Sequence, residues 1–210
     1  MAGNAARREE VMIRAAATAA LVIAAMGLGR VITDHIPLDE SADGPFVHTA
    51  SAGDTVSLEY ADVTVTGIHV TPTITGSPAA ASGGRWLVVD TELVATREPT
   101  RMHGFFLLDG QDRRYASSSR GSECAINAGL ATGVRWYGSF CFDVPKAALE
   151  GTRLVVTRGD YSVNGSGFRR DDVAEIDLGL RPGDTDALWS QQAPVDVKER
   201  GVTPPGRGPR

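Results

Sequence analysis

The sequence predicts an all-β domain, an antiparallel sandwich of about seven or eight short strands, preceded by one transmembrane helix. Three observations carry this. Val134 to Pro145 (V-R-W-Y-G-S-F-C-F-D-V-P) alternates with period two and stops on a proline. Short strand-like segments separated by turn residues fill the chain after residue 54, with no long helical pattern among them. Ala15 to Gly29 carries no charge and lies between Arg14 and Arg30.

On a strand, successive side chains point to opposite faces. Val134, Trp136, Gly138, Phe140, Phe142 and Val144 therefore share a core face. Arg135, Tyr137, Ser139, Cys141 and Asp143 share a wetter outer face. Pro145 has no N–H for a ladder and ends the strand.

The uncharged run spans about 22 Å as a helix, short of a bilayer core of roughly 30 Å. Apolar neighbours (Val11, Met12, Ile13, Val31 and Ile32) lengthen it, and the flanking arginines reach the headgroups. Residues 11–33 are read as a signal-anchor helix. Arg7, Arg8 and Arg14 then keep residues 1–10 in the cytoplasm and place the remainder outside the cell membrane. A cleaved signal peptide, which would make the protein secreted, is the alternative; small residues such as Ala24, Ala25 and Gly27 allow it, while Arg30-Val31-Ile32 is an awkward cleavage neighbourhood.

Residues 34–54 are acidic, hold two prolines and lack a period, which predicts a linker. The sandwich is assigned to 55–180. Thr55 to Tyr60 opens it, and Val63 to Ile74 follows with a shift in period at Gly67, the mark of a bulge. Thr75 to Gly84 reads as a loop, and Trp86 to Ala95 as a central strand. Phe105 to Tyr115 forms a hairpin around Asp109-Gly110. A long loop, Ala116 to Gly133, leads to the alternating strand; Lys146 to Gly151 makes one helical turn, and Arg153 to Thr157 and Val173 to Leu178 are further strands. Residues 181–210 lose their period and read as a tail, largely disordered at Thr203 to Arg210.

Of 210 residues, 42% are hydrophobic and 22% charged, as expected of a globular chain. Net charge is −5. Without the four arginines and two glutamates of residues 1–33 it becomes −7, which argues against nucleic acid as a partner. Cys124 and Cys141, the only cysteines, form an even pair in a segment expected outside the cytoplasm and predict a disulfide. By parity, that bridge pins the preceding loop to the outer face and does not cross between sheets.

Residues Arg85 to Leu93 (R-W-L-V-V-D-T-E-L), Phe105 to Tyr115 (F-F-L-L-D-G-Q-D-R-R-Y) and Gly138 to Pro145 (G-S-F-C-F-D-V-P) resemble a family of bacterial extracytoplasmic immunoglobulin-like sandwiches of unknown function, related in fold to a small secreted mycobacterial antigen. The resemblance spans about residues 50–180 and implies an immunoglobulin-like fold without assigned catalytic residues. Asp112 stands where glycine is commoner in that family, and the cysteine pair is an addition.

Chemistry-bearing motifs are sparse. There is no Gly-x-Ser-x-Gly elbow, Cys-x-x-Cys pair, Walker loop or dinucleotide fingerprint, and His35, His48, His69 and His103 are scattered. Asp109 and Asp112 around Gly110 are a weak cation candidate that a plain hairpin turn explains as well. No catalytic residue, cofactor or metal ligand is assigned, and the protein is not read as an enzyme; an envelope hydrolase would need a histidine brought beside a Ser or Asp. The polar loop Ser117 to Gly133, with Ser119, Arg120, Glu123 and Asn127, is the candidate partner-binding surface, because long ordered loops on a rigid sandwich often carry recognition. The expected function is a membrane-anchored interaction module that contacts an envelope protein or cell-wall component, or an accessory subunit of a membrane complex.

Overall fold

A computed structural model describes residues 2–35, 44–75, 79–121, 123–159, 171–197 and 199–204. The chain divides into two units, residues 1–43 and 44–210, each taken by itself.

The first unit holds helix α1, Ala2–His35. Within it Met12–Val31, twenty residues of mean hydropathy 1.7, is exposed on every side. At 1.5 Å per residue this window is about 30 Å long, the thickness of a bilayer's hydrocarbon core. The helix continues well N-terminal of residue 11, where residues 1–10 read as a separate segment. Residues 36–43 of the expected linker lie outside the described residues.

The second unit is two sheets packed face to face. One sheet has the order β1 (Phe46–Ser51), β11 (Asp172–Asp177), β10 (Arg153–Thr157), β6 (Gly104–Leu108), β7 (Arg114–Ala116). The other has the order β12 (Val195–Asp196), β3 (Ala61–Thr75), β4 (Ala80–Ala95), β9 (Arg135–Val144), with β2 (Thr55–Ser57) also on β3. A separate ribbon joins β5 (Thr100–Met102) to β8 (Ala128–Leu130).

Strand β9 separates its side chains as the alternation requires from Arg135 onward, but Val134, expected on the core face, lies before the strand and is 41% exposed. Trp136, Phe140, Phe142 and Val144 enter the core between the sheets with Leu87, Val89 and Leu93 from β4. Phe105, Leu107, Leu154, Val156, Ala174 and Ile176 fill it from the first sheet. The Phe105 and Phe140 rings stack with centroids 3.7 Å apart. Gly138 belongs to the same face because a Cβ there would run into the Trp136 ring.

Several expectations are corrected. The sandwich is mixed rather than purely antiparallel, since β1 runs parallel to β11 and β12 parallel to β3. Twelve strands, five of them only two or three residues long, replace the expected seven or eight among the described residues. The predicted 34–54 linker ends early: Phe46–Ser51 is a six-residue strand, hidden from pattern reading because nearly all its side chains are exposed and none alternates in burial. The loop expected at 75–84 is mostly strand, as β4 begins at Ala80. Among the described residues, the tail assigned to 181–210 is structured as far as Gly201: helix α2 (Pro182–Ser190) is followed by β12, and Gly201 bridges to Tyr137. Residues 205–210 lie outside the described residues, as do Asn164 and Gly165. The bulge expected at Gly67 is present as a register shift between Val65 and Gly67.

Candidate functional site

The outer face of the second sheet carries a second, smaller core. Trp86 and Val88 of β4, Cys141 of β9 and Ile74 of β3 meet Cys124, Ala80 and Val197 there. Cys124 and Cys141 are joined as a disulfide that pins the loop to this face without crossing to the other sheet. Contrary to the expected wet outer face, this face is wet only toward its ends, because Ser139 and Cys141 are both buried. The loop and the C-terminal segment cover its middle.

The loop closes by backbone and side-chain bonds together. Ser118 N–H donates to the Cys141 carbonyl at 2.8 Å, and Ala125 N–H to the Ser139 carbonyl at 2.8 Å. Arg120, one of the candidate partner residues, turns back on the sheet. Its guanidinium donates to Asp143 (2.7 Å) and to the Ala81 carbonyl (2.6 Å), and it lies 5.2 Å from the centre of the Trp86 ring. Asp143 also accepts the Ser82 hydroxyl. Ser119 and Asn127 are exposed, and Glu123 is half-buried. The structure brings Arg120 to the fold's own groups, leaving Ser119 and Asn127, with Ile126 at 43% exposure, as the outward part of the loop.

The C-terminal segment crosses the same face as a strap. Thr71 donates its hydroxyl to the Ala193 carbonyl (2.9 Å), Val195 and Asp196 pair with Ile74 and Thr75, and Val197 enters the second core. Arg200 donates to the Cys124 carbonyl (3.2 Å), and Tyr137 and Gly201 exchange both backbone bonds. Beneath the strap is a cavity of about 30 Å³ lined by Thr66, Asp90, Thr91, Tyr137, Gly138, Ser139 and Glu199. That is room for a water-sized molecule.

Asp90 is the polar centre of this cavity. It accepts the Ser139 hydroxyl at 2.5 Å on one oxygen and sits 3.1 Å from the His69 ring on the other. Gly67 makes room for this pair, since a Cβ there would stand 2.8 Å from the Asp90 carboxylate. The meeting of His69 and Asp90 depends on the bulge, which puts Gly67 opposite Asp90. A histidine does come within reach of a Ser-Asp pair, but the order is Ser139–Asp90–His69. Nucleophile activation needs the imidazole on the hydroxyl, with the carboxylate behind the imidazole. Here the hydroxyl proton goes to the carboxylate, and the trio works as a cross-strand brace.

The hairpin residues considered for a cation are engaged elsewhere. Asp109 is buried and accepts from Gln111 N–H, Arg113 N–H, the Arg113 guanidinium (2.7 Å) and the Tyr115 hydroxyl (3.2 Å). Burial alone would push its carboxyl up, yet these bonds hold it below the usual carboxylate range. Burial and the Asp109 carboxylate together raise the Tyr115 phenol. Asp112 pairs with Arg153 and has a φ of 58°, the left-handed conformation that makes glycine common at such a position. Among the described residues no cluster of three or more His, Cys, Asp or Glu side chains could hold a metal ion. Trp189 caps the main core, with Arg85 5.1 Å from its ring.

The two packed sheets make this domain a β-sandwich, with a disulfide-stapled loop over the outer face of one sheet. The sequence matches no protein-family model and no curated protein. Among solved structures it is similar to the yjhA protein of Bacillus subtilis, at 16% identity and a TM-score of 0.44 over 61% of this chain and 99% of that one. A putative lipoprotein, ycdA, of the same organism is similar at 17% identity and a TM-score of 0.44, over 66% of this chain and 42% of that one. An uncharacterised β-sandwich protein of Clostridium difficile is similar at 8% identity and a TM-score of 0.39, over 63% and 95% respectively.

Proposed function

We propose that the protein is a single-pass, N-in membrane protein that displays an immunoglobulin-like interaction module outside the cell membrane and contacts an envelope protein or cell-wall component. The observation that carries this reading is the pairing of a twenty-residue apolar helical window, unburied on all sides, with a domain closed by a disulfide. A helix apolar all round gains stability in lipid, and a disulfide persists in an oxidising compartment. The outward residues Ser119, Ile126 and Asn127 of the stapled loop offer the contact surface; Arg120 supports the loop from beneath.

Carbonate washing tests the anchor: the full-length chain is expected in the membrane pellet. Release as a shortened form would favour signal cleavage and a secreted protein. Crosslinked capture from envelope extract tests the loop. The chain with Ser119, Ile126 and Asn127 replaced by alanine is expected to lose a partner that the unaltered chain retains, and equal recovery by both would overturn the loop assignment. Exchange of α1 for an unrelated anchor separates this reading from that of an accessory subunit, which would lose its complex.

A further inference from the structure

Sheet edges expose unpaired backbone groups, and natural domains cover them, shorten them or charge them. In this domain the second sheet is covered at both sides. On β9, Tyr137 is paired by Gly201, and the carbonyls of Ser139 and Cys141 accept Ala125 and Ser118 N–H. On β3, β2 holds one end and β12 the other. The first sheet ends on one side in β7, only three residues long. Its other side is β1, six residues of F-V-H-T-A-S without a proline, a lysine or a register shift.

Parity identifies which groups of β1 are free. Phe46 N–H donates to Asp171 and Ala52 N–H to Asp177, so in this parallel ladder the even-numbered residues face β11. Val47, Thr49 and Ser51 aim their backbone groups away from the sheet. Among the described residues, the Asp54 N–H bond to the Ser51 carbonyl is the one backbone bond these three receive. Phe46 and Val47 are 61% and 50% exposed at the start of the strand.

We infer that β1 is a strand-addition edge, and that its occupant is the β1 strand of a second copy of this chain, paired antiparallel about a two-fold axis through Thr49. The strand has no charged Asp, Glu, Lys or Arg, so a like strand meets no like charge. The carboxylates nearest it are already engaged: Asp171 by Arg158, Asp172 by His48 and the Glu59 N–H, Glu175 by Arg153, and Asp177 by Arg181. Free groups on odd positions restrict the register. Centring on Thr49 sets Val47 opposite Ser51 in both copies and Phe46 opposite Ala52. A register two residues shorter in sum sets Pro45, which has no N–H, opposite Ser51 and loses a donor. An isologous contact of this kind joins two five-stranded sheets into one continuous sheet.

Cysteine crosslinking of the full-length chain in membranes tests the register directly, because the two native cysteines are already joined. Residues facing each other in a hydrogen-bonded antiparallel pair lie about 5.5 Å apart between Cα atoms, within disulfide reach. Thr49→Cys is therefore expected to give a dimer on a non-reducing gel. Val47→Cys alone should give none, and Val47→Cys co-expressed with Ser51→Cys should give one. Adding Thr49→Pro, which removes the central free N–H without touching the bonds to β11, should reduce that mixed dimer at least tenfold. Absence of a Thr49→Cys dimer, or an equal one from Asn127→Cys on the distant loop, overturns the inference. A Thr49→Cys adduct with a different protein overturns the second copy as occupant.

Discussion

Phe140 and Cys141 are adjacent in sequence and belong to different cores: the phenylalanine stacks on Phe105 between the sheets, while the cysteine bonds Cys124 beneath the loop on the far side of the same sheet. Strand β9 thus supports two buried layers. The inner one is much the larger, and the outer one has the disulfide at its centre.

Replacing both Cys124 and Cys141 by alanine should cost about 3 kcal/mol in urea unfolding, the chain-entropy value for a loop of this size. The domain should stay folded, with faster hydrogen exchange confined to the loop and the C-terminal strap. A loss below about 1 kcal/mol would show that the outer core stands without its bridge.

Arg120→Ala removes the cover over Trp86 together with the bond to Asp143. A destabilisation of about 1–2 kcal/mol is expected, with a red-shifted tryptophan emission as water reaches the indole. Unchanged stability with loss of partner capture would reassign Arg120 from support to recognition.

Gly138→Ala forces a methyl into the Trp136 ring. Overpacking of this kind costs about 1–3 kcal/mol, and the near-ultraviolet circular dichroism of the tryptophan should change with it. An unchanged spectrum and melting temperature would contradict the ring's placement.

Asp109→Ala leaves Arg113 and Tyr115 without their shared acceptor and should cost about 2–4 kcal/mol. Its contribution also depends on pH. The folded carboxyl titrates below its unfolded value of about 4, so the native state binds fewer protons, and stability rises with pH in this range. The stabilisation is complete above that value and is lost as pH falls through the lower folded value. Asp109→Asn should therefore show a smaller loss of stability between pH 6 and pH 2.5 than the unaltered chain, measured by urea unfolding; an identical slope would remove Asp109 as the group responsible.

The strands that sequence reading found are those whose burial alternates or whose turns are marked. The inner face of β9, the hairpin from Phe105 to Tyr115 and the bulge at Gly67 belong to this group. Strand β1 escaped because its residues face solvent and its partner, β11, lies more than a hundred residues away. The C-terminal strap escaped for a related reason: two paired residues and one buried valine leave no period to read. Trp86 and Val88 suited a central strand, but the outer core they build needed the disulfide and Val197 to be seen together. The trio of Ser139, Asp90 and His69 comes from three strands in register, which spacing along one segment does not reveal.

Strand β1 is the first strand of the second unit and lies at the edge of its sheet, so the chain begins the sandwich at its outermost ladder. A pull applied to the domain at Phe46 would load first the rungs linking Phe46–Ser51 to Asp172–Asp177. Peeling that ladder would detach one rim strand, with the stacked rings of Phe105 and Phe140 still in place behind it. Under such a pull this outer ladder would part before the inner core.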